Sequence, residues 1–188
     1  MKKILISGGK LFSICAVAAL TLGVINAITE PVIEHRKIIE LERALLELAP
    51  DAETGAVSVP DENLNVRAVY PLAKGGKEAG YILELFGIGY SGDMKILARF
   101  AADGSIASVK LMDNLETPGL GKKAEDPAYM RKFLGTGGSA RPVPVRKDML
   151  TGAQADAITG ATITFLGISK ALAKGSRYIR EGEIENVP

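Results

Sequence analysis

The segment from Asn114 to Lys123 brings several chemically useful residue types into one short stretch. In order it offers a carboxylate, a hydroxyl, a proline, two glycines and a lysine around one leucine: Glu116, Thr117, Pro118, Gly119, Leu120, Gly121 and Lys122. A Pro-Gly pair favours a turn that directs backbone N–H groups outward, and the leucine adds an apolar face. Such a loop can edge a planar ring system, although an ordinary surface turn would contain the same residues.

A second segment, Asp156 to Thr162, has the sequence Asp-Ala-Ile-Thr-Gly-Ala-Thr and precedes an apolar-periodic run. Thr159 is a residue type that caps helices, so we predict Thr159 at the N-cap and Thr162 in the first turn. Free N–H groups and the helix dipole favour a phosphate there, and Gly160 and Ala161 leave the approach open. The Thr162 hydroxyl is therefore suited to bind a phosphate or to be esterified to one. Plain helix capping, with Thr162 as filler, fits these residues too.

The composition excludes several other cofactors and partners. Iron–sulfur clusters usually need four thiolates, and the chain has one cysteine, Cys15, and one histidine, His35, which we expect on a solvated helix surface. A redox role would therefore need an organic cofactor, and we assign no metal ligand. Lys and Arg number 23 against 22 Asp and Glu, for a net charge of +1. Without a basic stripe, nucleic acid is not expected as a partner.

The amino-terminal region predicts a membrane span. No charged side chain occurs from Leu11 to Thr29, a stretch that would reach about 28 Å as a helix, close to the ~30 Å hydrocarbon core. Ile25-Asn26-Ala27 is a poor cleavage pattern, so residues 1–30 are expected to be an uncleaved anchor, with Cys15 as apolar filler.

The charges on the two sides of the span give a weak orientation signal. Three lysines precede it (Lys2, Lys3 and Lys10) and three cations follow it (Arg36, Lys37 and Arg43). The short basic tail favours a cytoplasmic amino terminus. We therefore predict a single-pass protein of the inner (cytoplasmic) membrane whose larger part is extracytoplasmic.

Residues 31–50 predict an amphipathic stalk helix, because Ile38, Leu41, Leu45 and Leu48 recur at spacings of three and four. Pro31 is expected at its start and Pro50 just beyond its end.

Residues 51–188 are expected to form the folded domain. After an irregular segment, 51–65, glycine-containing turns separate four strand-like runs: Val66–Leu72, Gly80–Phe86, Met94–Phe100 and Ser105–Met112. A short helix near 127–134, a glycine-rich loop at 135–139 and a final helix from about Thr159 to Ile179 follow. The predicted fold class is α+β, with a curled antiparallel sheet and flanking helices on an N-terminal transmembrane helix and helical stalk.

One glycine pattern, from Gly87 to Gly92, matches the dinucleotide fingerprint G-x-G-x-x-G. That fingerprint requires its third glycine to open a helix, whereas Asp93–Phe100 has the pattern of a second strand. We therefore interpret these glycines as hairpin residues.

The two chemistry-bearing segments together resemble the FMN-binding domain of the G subunit of Rnf complexes. The related C subunit of Na⁺-pumping NADH:quinone reductases is similar, but the short length of this chain suits the Rnf protein better. The resemblance extends to the amino-terminal span and the Gly89–Gly92 hairpin. It implies an FMN phosphoester on Thr162, with Asp156, Thr159, Gly160 and Ala161 completing the attachment motif. It also implies that the loop from Glu116 to Gly121, with Lys122 beside it, lines the isoalloxazine ring.

The resemblance further implies partners and a role. A separate flavin transferase would move FMN from FAD onto Thr162. The flavin would then pass electrons within a multi-subunit membrane complex that couples ferredoxin–NAD⁺ electron transfer to pumping of Na⁺ or H⁺. No substrate turnover by this chain alone is expected, so no catalytic residue is assigned. Three alternatives remain open: the quinone-reductase protein, a flavin-free structural subunit and an enzyme with exchangeable FMN.

Overall fold

The computed structural model describes residues 2–60 and 65–181. The chain divides into two compact units, one ending at Arg43 and one beginning at Ala44. A single helix, α1 (Lys2–Leu48), makes up the described part of the first unit and extends into the second. Between residues 6 and 40 its large apolar side chains are solvent-facing, Phe12 being 74% exposed, and α1 is long and apolar enough to cross a membrane. An unburied helix of this kind indicates a membrane anchor rather than a core helix.

The prediction that the stalk helix starts at Pro31 is wrong. Pro31 lies inside α1, which continues without interruption to Leu48. A proline removes one backbone donor, and a long helix with helix-favouring flanks can absorb that loss. The predicted end of the helix before Pro50 is confirmed, and His35 is exposed as expected. The domain boundaries at residues 30 and 50 stay predictions.

The second unit contains a five-stranded antiparallel sheet in the order β1-β2-β3-β4-β5. Its strands are β1 (Glu53–Thr54), β2 (Val66–Lys74), β3 (Lys77–Ile88), β4 (Asp93–Phe100) and β5 (Ile106–Asn114). The four predicted strands and their meander order are confirmed. The segment 51–65, predicted to be irregular, contributes β1 as a short edge strand. Two exposed polar residues carry no apolar alternation, so no sequence signal marked that strand.

The turns confirm how the glycines are used. Gly75 and Gly76 both have positive φ, 57° and 75°, the two-residue arrangement whose twist matches an antiparallel hairpin. In the β3–β4 hairpin, the Gly89 amide donates to the Gly92 carbonyl at 2.8 Å. The chain then continues as β4, so the dinucleotide fingerprint is excluded at this position.

Three further α-helices lie in the described part of this unit: α2 (Pro127–Met130), α3 (Gly152–Ala157) and α4 (Thr162–Arg180). Short 3-10 helices lie there as well, at Gly121–Glu125, Arg131–Phe133 and Lys147–Met149. The predicted short helix is confirmed, and its cap is Asp126, which accepts a hydrogen bond from the Ala128 amide at 2.8 Å. Helix α3 was not predicted.

Helix α4 packs on β3 and β4 and supplies much of the core. Phe165, Ile168 and Leu172 are fully buried in one cluster with side chains of the sheet. A Cβ on Gly167 would lie 2.2 Å from the Ile88 carbonyl oxygen. Glycine therefore permits a close approach between α4 and the end of β3, which brings the amino-terminal half of α4 beside the β3–β4 hairpin.

Candidate functional site

The Glu116 carboxylate joins three parts of the fold. Its side chain is only 4% exposed. Oε1 accepts hydrogen bonds from the backbone amides of Tyr90 at 2.7 Å and Ser91 at 3.2 Å. Oε2 accepts from the Thr164 hydroxyl at 2.8 Å. The carboxylate thus holds its own loop, the β3–β4 hairpin and the first turn of α4 in one arrangement, with its charge stabilised by three donors.

Two glycines provide the space that the carboxylate occupies. A Cβ on Gly89 would lie 2.1 Å from Glu116 Oε1, and a Cβ on Gly121 would lie 2.1 Å from Oε2. Both glycines are buried. A side chain at either position would displace the carboxylate from its donors.

Asn114, at the end of β5, orients the start of the loop. Its Oδ1 accepts from the Glu116 amide at 3.1 Å, and its Nδ2 donates to Glu125 Oε1 at 2.8 Å. That bond, together with the nearby Lys122, lowers the pKa of Glu125 below its ordinary value. Lys122 contacts the same oxygen at 3.3 Å.

The loop beyond Glu116 forms the predicted turn, but two of its backbone amides are bonded within the turn and do not face outward. The amides of Leu120 and Lys122 both donate to the Thr117 carbonyl, at 3.2 and 3.3 Å, and Gly119 has a φ of 78°. Thr117, Pro118, Gly119 and Leu120 are exposed, so this turn presents a surface that a ring could contact.

The prediction that Thr159 caps the final helix is wrong. The N-cap of α4 is Ala161, no side chain caps the helix, and Thr162 is its first residue rather than its third. Gly160 adopts a φ of 83°, which separates α3 from α4. The Thr159 hydroxyl instead donates back to the Ala155 carbonyl at 3.4 Å. The capping pattern at Thr159 did not reveal this turn, because residues 152–157 form a short helix of their own immediately before it.

Thr162 is exposed at the start of a 19-residue helix. The first amide to make an intrahelical bond is that of Phe165, which donates to Ala161 O at 2.9 Å. The amides of residues 162–164 make no hydrogen bond within the described chain, as expected at a helix start. An exposed hydroxyl beside free amides and the positive end of the dipole fits a phosphate.

The two segments singled out in the sequence meet in space. A Cβ on Gly160 would lie 3.0 Å from Leu120 Cδ2, so the Leu120 side chain lies against the turn before Thr162. The bond between Glu116 and Thr164 ties the same two segments from the interior. Asp156 is exposed on α3 and lines a pocket of about 490 Å³ together with Tyr129 and Lys132.

Sequence reasoning missed Thr164 and Lys132. Thr164 is buried two residues after Thr162, and no local pattern reveals its partner, which lies on another loop. Lys132 is 5% exposed, its Nζ has no hydrogen-bond partner among the described residues, and it lies 3.0 Å from the centroid of the Tyr129 ring. Burial lowers the pKa of Lys132 to about 8 and raises the pKa of Tyr129 above its ordinary value.

Comparisons with known proteins find relatives over most of the chain. The family described as the FMN-binding domain matches residues 89–176, a range that includes both segments. The G subunit of the ion-translocating oxidoreductase complex of Erwinia tasmaniensis is 31% identical over 191 residues, covering 91% of this chain and 90% of that protein. The G subunit of the Na⁺-translocating ferredoxin:NAD⁺ oxidoreductase complex of Acetobacterium woodii is 32% identical, covering 88% of this chain and 84% of that protein.

A third relative carries a different ion in its name. The G subunit of the proton-translocating ferredoxin:NAD⁺ oxidoreductase complex of Clostridium ljungdahlii is 27% identical, covering 86% of this chain and 81% of that protein. Among solved structures, the crystal structure of Shewanella oneidensis NqrC aligns with a TM-score of 0.46 at 18% identity. That alignment covers 73% of this chain and 74% of the other.

Proposed function

The chain belongs to the family of G subunits of ion-translocating oxidoreductase complexes, and we propose that it carries FMN as a phosphoester on Thr162. In this role the chain passes electrons within a membrane complex that couples ferredoxin–NAD⁺ electron transfer to ion translocation. The observation that carries the proposal is the uncapped start of α4, where the exposed Thr162 stands beside free amides. Relatives named for Na⁺ and for protons both match, so the ion is not part of the proposal.

The residues around Thr162 fit both ends of FMN. The free amides of the first turn of α4 and its dipole suit the phosphate. The exposed turn from Thr117 to Leu120, with its apolar leucine, suits the ring. Tyr90, 77% exposed on the facing hairpin, adds an aromatic surface. Bound FMN supplies one- and two-electron transfer; the protein's part is to hold the loop and the hairpin in register through Glu116.

Attachment requires a second protein, a flavin transferase. The Thr162 hydroxyl oxygen forms a bond to the FMN phosphorus of FAD, the phosphoanhydride bond to AMP breaks, and AMP leaves. The hydroxyl proton passes to a base of the transferase. Exposure of Asp156, Thr159 and Gly160 supports their role as the recognised sequence, with the buried Ala161 setting the turn. No described group of this chain lies in hydrogen-bond contact with the hydroxyl, which supports activation from outside.

A tether suits a carrier that changes redox state. A freely bound flavin must bind tightly in every state, whereas an esterified one stays attached whatever its affinity. Helix α1 would similarly hold the domain at the membrane. We propose a cytoplasmic amino terminus and an extracytoplasmic domain. A cysteine introduced at exposed Lys77, in a Cys15→Ser background, should react with a membrane-impermeant maleimide in intact cells. Labelling only after lysis would reverse the orientation.

Mass spectrometry of the complex tests the flavin assignment. The tryptic peptide spanning residues 148–170 should carry the mass of one FMN less one water, on Thr162. Recovery of this peptide wholly unmodified, from a complex whose other subunits hold their flavins, would show the site to be vestigial. Among the alternatives, the quinone-reductase protein is not favoured, because the relatives that cover most of this chain are G subunits of ion-translocating oxidoreductases.

A further inference from the structure

A second feature of α4, beside the flavin site, is a groove of about 820 Å³ along one side of the helix. The end of β3 and the segment 137–145 form its other walls. Phe86, Ile88, Val143, Ile163 and Leu166 give it an apolar lining. Gly89 of the β3–β4 hairpin lies at its edge, but neither Thr162 nor any residue of the Glu116–Gly121 loop lines it. The flavin assignment therefore leaves its contents unexplained.

The charges that line this groove all have one sign. Lys170, Lys174, Arg177 and Arg180 project from successive turns of α4, and no described carboxylate is among the lining residues. Arg177 contacts Glu181 at 3.5 Å; the other three make no ion pair with the described residues. Arg177 and Arg180 lie in the last turn of α4, where the helix dipole favours cations. Lys170 and Lys174 lie earlier in the helix, where like charges three and four residues apart repel each other, so helix stability does not account for the whole row.

We propose that the groove docks an acidic segment of a partner subunit, with apolar side chains on the floor and carboxylates against the cations. The proposal relies on membership of a multi-subunit complex, which the family supplies, and not on flavin at Thr162. An apolar centre with a charged rim is the ordinary composition of a protein–protein interface. A rim of one sign selects a partner of the other sign.

The position of the groove gives this docking a consequence. Ile163, which lines the groove, directly follows Thr162 in the chain. A segment seated there would hold the partner subunit next to the residue that we propose carries the flavin. The groove would therefore fix the distance over which electrons pass between the flavin and that partner subunit.

Carbodiimide cross-linking of the purified complex tests the contact directly. The reagent activates a carboxylate, and a lysine amine in contact with it forms an amide as the urea leaves. We expect peptides that join Lys170 or Lys174 to an aspartate or glutamate of another subunit. Lys77, exposed in the β2–β3 turn, is the internal control and should lack such links.

A charge-reversal variant provides a second test of the docking. The double variant Lys170→Glu/Lys174→Glu should lose these links and lower the recovery of the partner subunit roughly tenfold, the scale expected from losing two rim charge pairs. The matched variant Lys77→Glu should recover the partner as the native chain does.

Three results would overturn the proposal. These are links from Lys170 and Lys174 only to carboxylates of this same chain, the absence of any link from these lysines, and an unchanged partner recovery in the double variant. In-gel flavin fluorescence of the same samples separates the two proposals. Links without flavin would refute the flavin assignment alone, and flavin without links would refute the docking alone.

Discussion

The Thr164 hydroxyl donates a 2.8 Å hydrogen bond to Glu116 Oε2, and the two side chains are 1% and 4% exposed. One residue lies two positions after the attachment threonine and the other begins the loop proposed to line the ring. Because both groups are buried, neither can exchange its partner for water without opening the site. Together with the packing of Leu120 against Gly160, this bond sets the register between the phosphate end and the ring end of the proposed cofactor site.

Thr164→Val removes the hydroxyl that joins these two ends of the site while it preserves the shape of the side chain. The buried Oε2 would lose its donor, and we expect a loss of about 1–3 kcal/mol in the free energy of unfolding. Urea denaturation of the full chain in detergent measures it. Thr164→Ser keeps the hydroxyl and should retain most of the stability. Equal losses in the two variants would indicate that packing, and not the hydrogen bond, holds the loop.

Glu116→Ala should have a larger effect. It leaves two backbone amides and one hydroxyl without an acceptor, which we expect to cost about 2–4 kcal/mol in the free energy of unfolding. Glu116→Gln keeps one carbonyl oxygen for the Tyr90 and Ser91 amides and should lie between the native chain and the alanine variant. The flavin fluorescence of the folded fraction should change in both. A native flavin fluorescence spectrum in Glu116→Ala would mean that the loop does not contact the flavin.

Gly89→Ala and Gly121→Ala test the space around the same carboxylate. Each added Cβ would lie 2.1 Å from a Glu116 oxygen, so the carboxylate must move away from its donors. Both variants should show a lowered melting temperature and reduced flavin loading. Gly152→Ala is the matched control, because nothing lies within 4 Å of its Cβ position; it should be neutral or slightly stabilising. Native behaviour at both buried glycines would mean that the loop adjusts freely.

The strands and turns of this fold were predictable because their signals are local. Apolar alternation identifies β2 to β5, and the adjacent Gly75 and Gly76 specify a tight hairpin. The same local reasoning failed at Thr159, since the left-handed conformation of Gly160 ends α3 and starts α4 two residues later than the cap pattern implied. It also failed at Pro31, where a helix start was expected and the helix continues.

The candidate site was only partly predictable. Both segments were identified by residue type, but local chemistry left helix capping and a plain surface turn as adequate explanations. Their association depends on Thr164 reaching Glu116, a contact between residues far apart in sequence. From the sequence alone, the assignment of flavin to Thr162 depended on the resemblance to a family, because the free amides of the helix start became visible only in the structure.

Thr162→Ala should abolish covalent flavin, because it removes the hydroxyl to which we propose the FMN phosphate is esterified. Thr162→Ser retains a hydroxyl there and should keep at least part of the loading. Fluorescence of the denatured chain in a gel reports covalent attachment alone. A fluorescent Thr162→Ala band would place the flavin on another residue, and equal loss in both variants would point to recognition of the threonine methyl group.

Lys132 should make stability depend on pH in the alkaline range. Burial lowers its pKa from 10.5 to about 8, so between these values the unfolded chain binds more protons than the folded one. The free energy of unfolding should therefore rise as the pH increases from about 8 to 10.5. Lys132→Met removes the buried amine at similar volume. It should be more stable than the native chain at pH 7, by roughly 2 kcal/mol after allowance for the lost contact with the Tyr129 ring.

The difference in the free energy of unfolding between Lys132→Met and the native chain should narrow steadily as the pH rises, because the native amine loses its proton. Urea unfolding of both chains at pH 7, 8.5 and 10 measures the difference directly, and because other lysines titrate equally in both chains, their contribution cancels. Lys147→Met, at an exposed position, provides a control that should show no such convergence. A constant gap between Lys132→Met and the native chain would mean that Lys132 keeps its proton, stabilised by the ring 3.0 Å away.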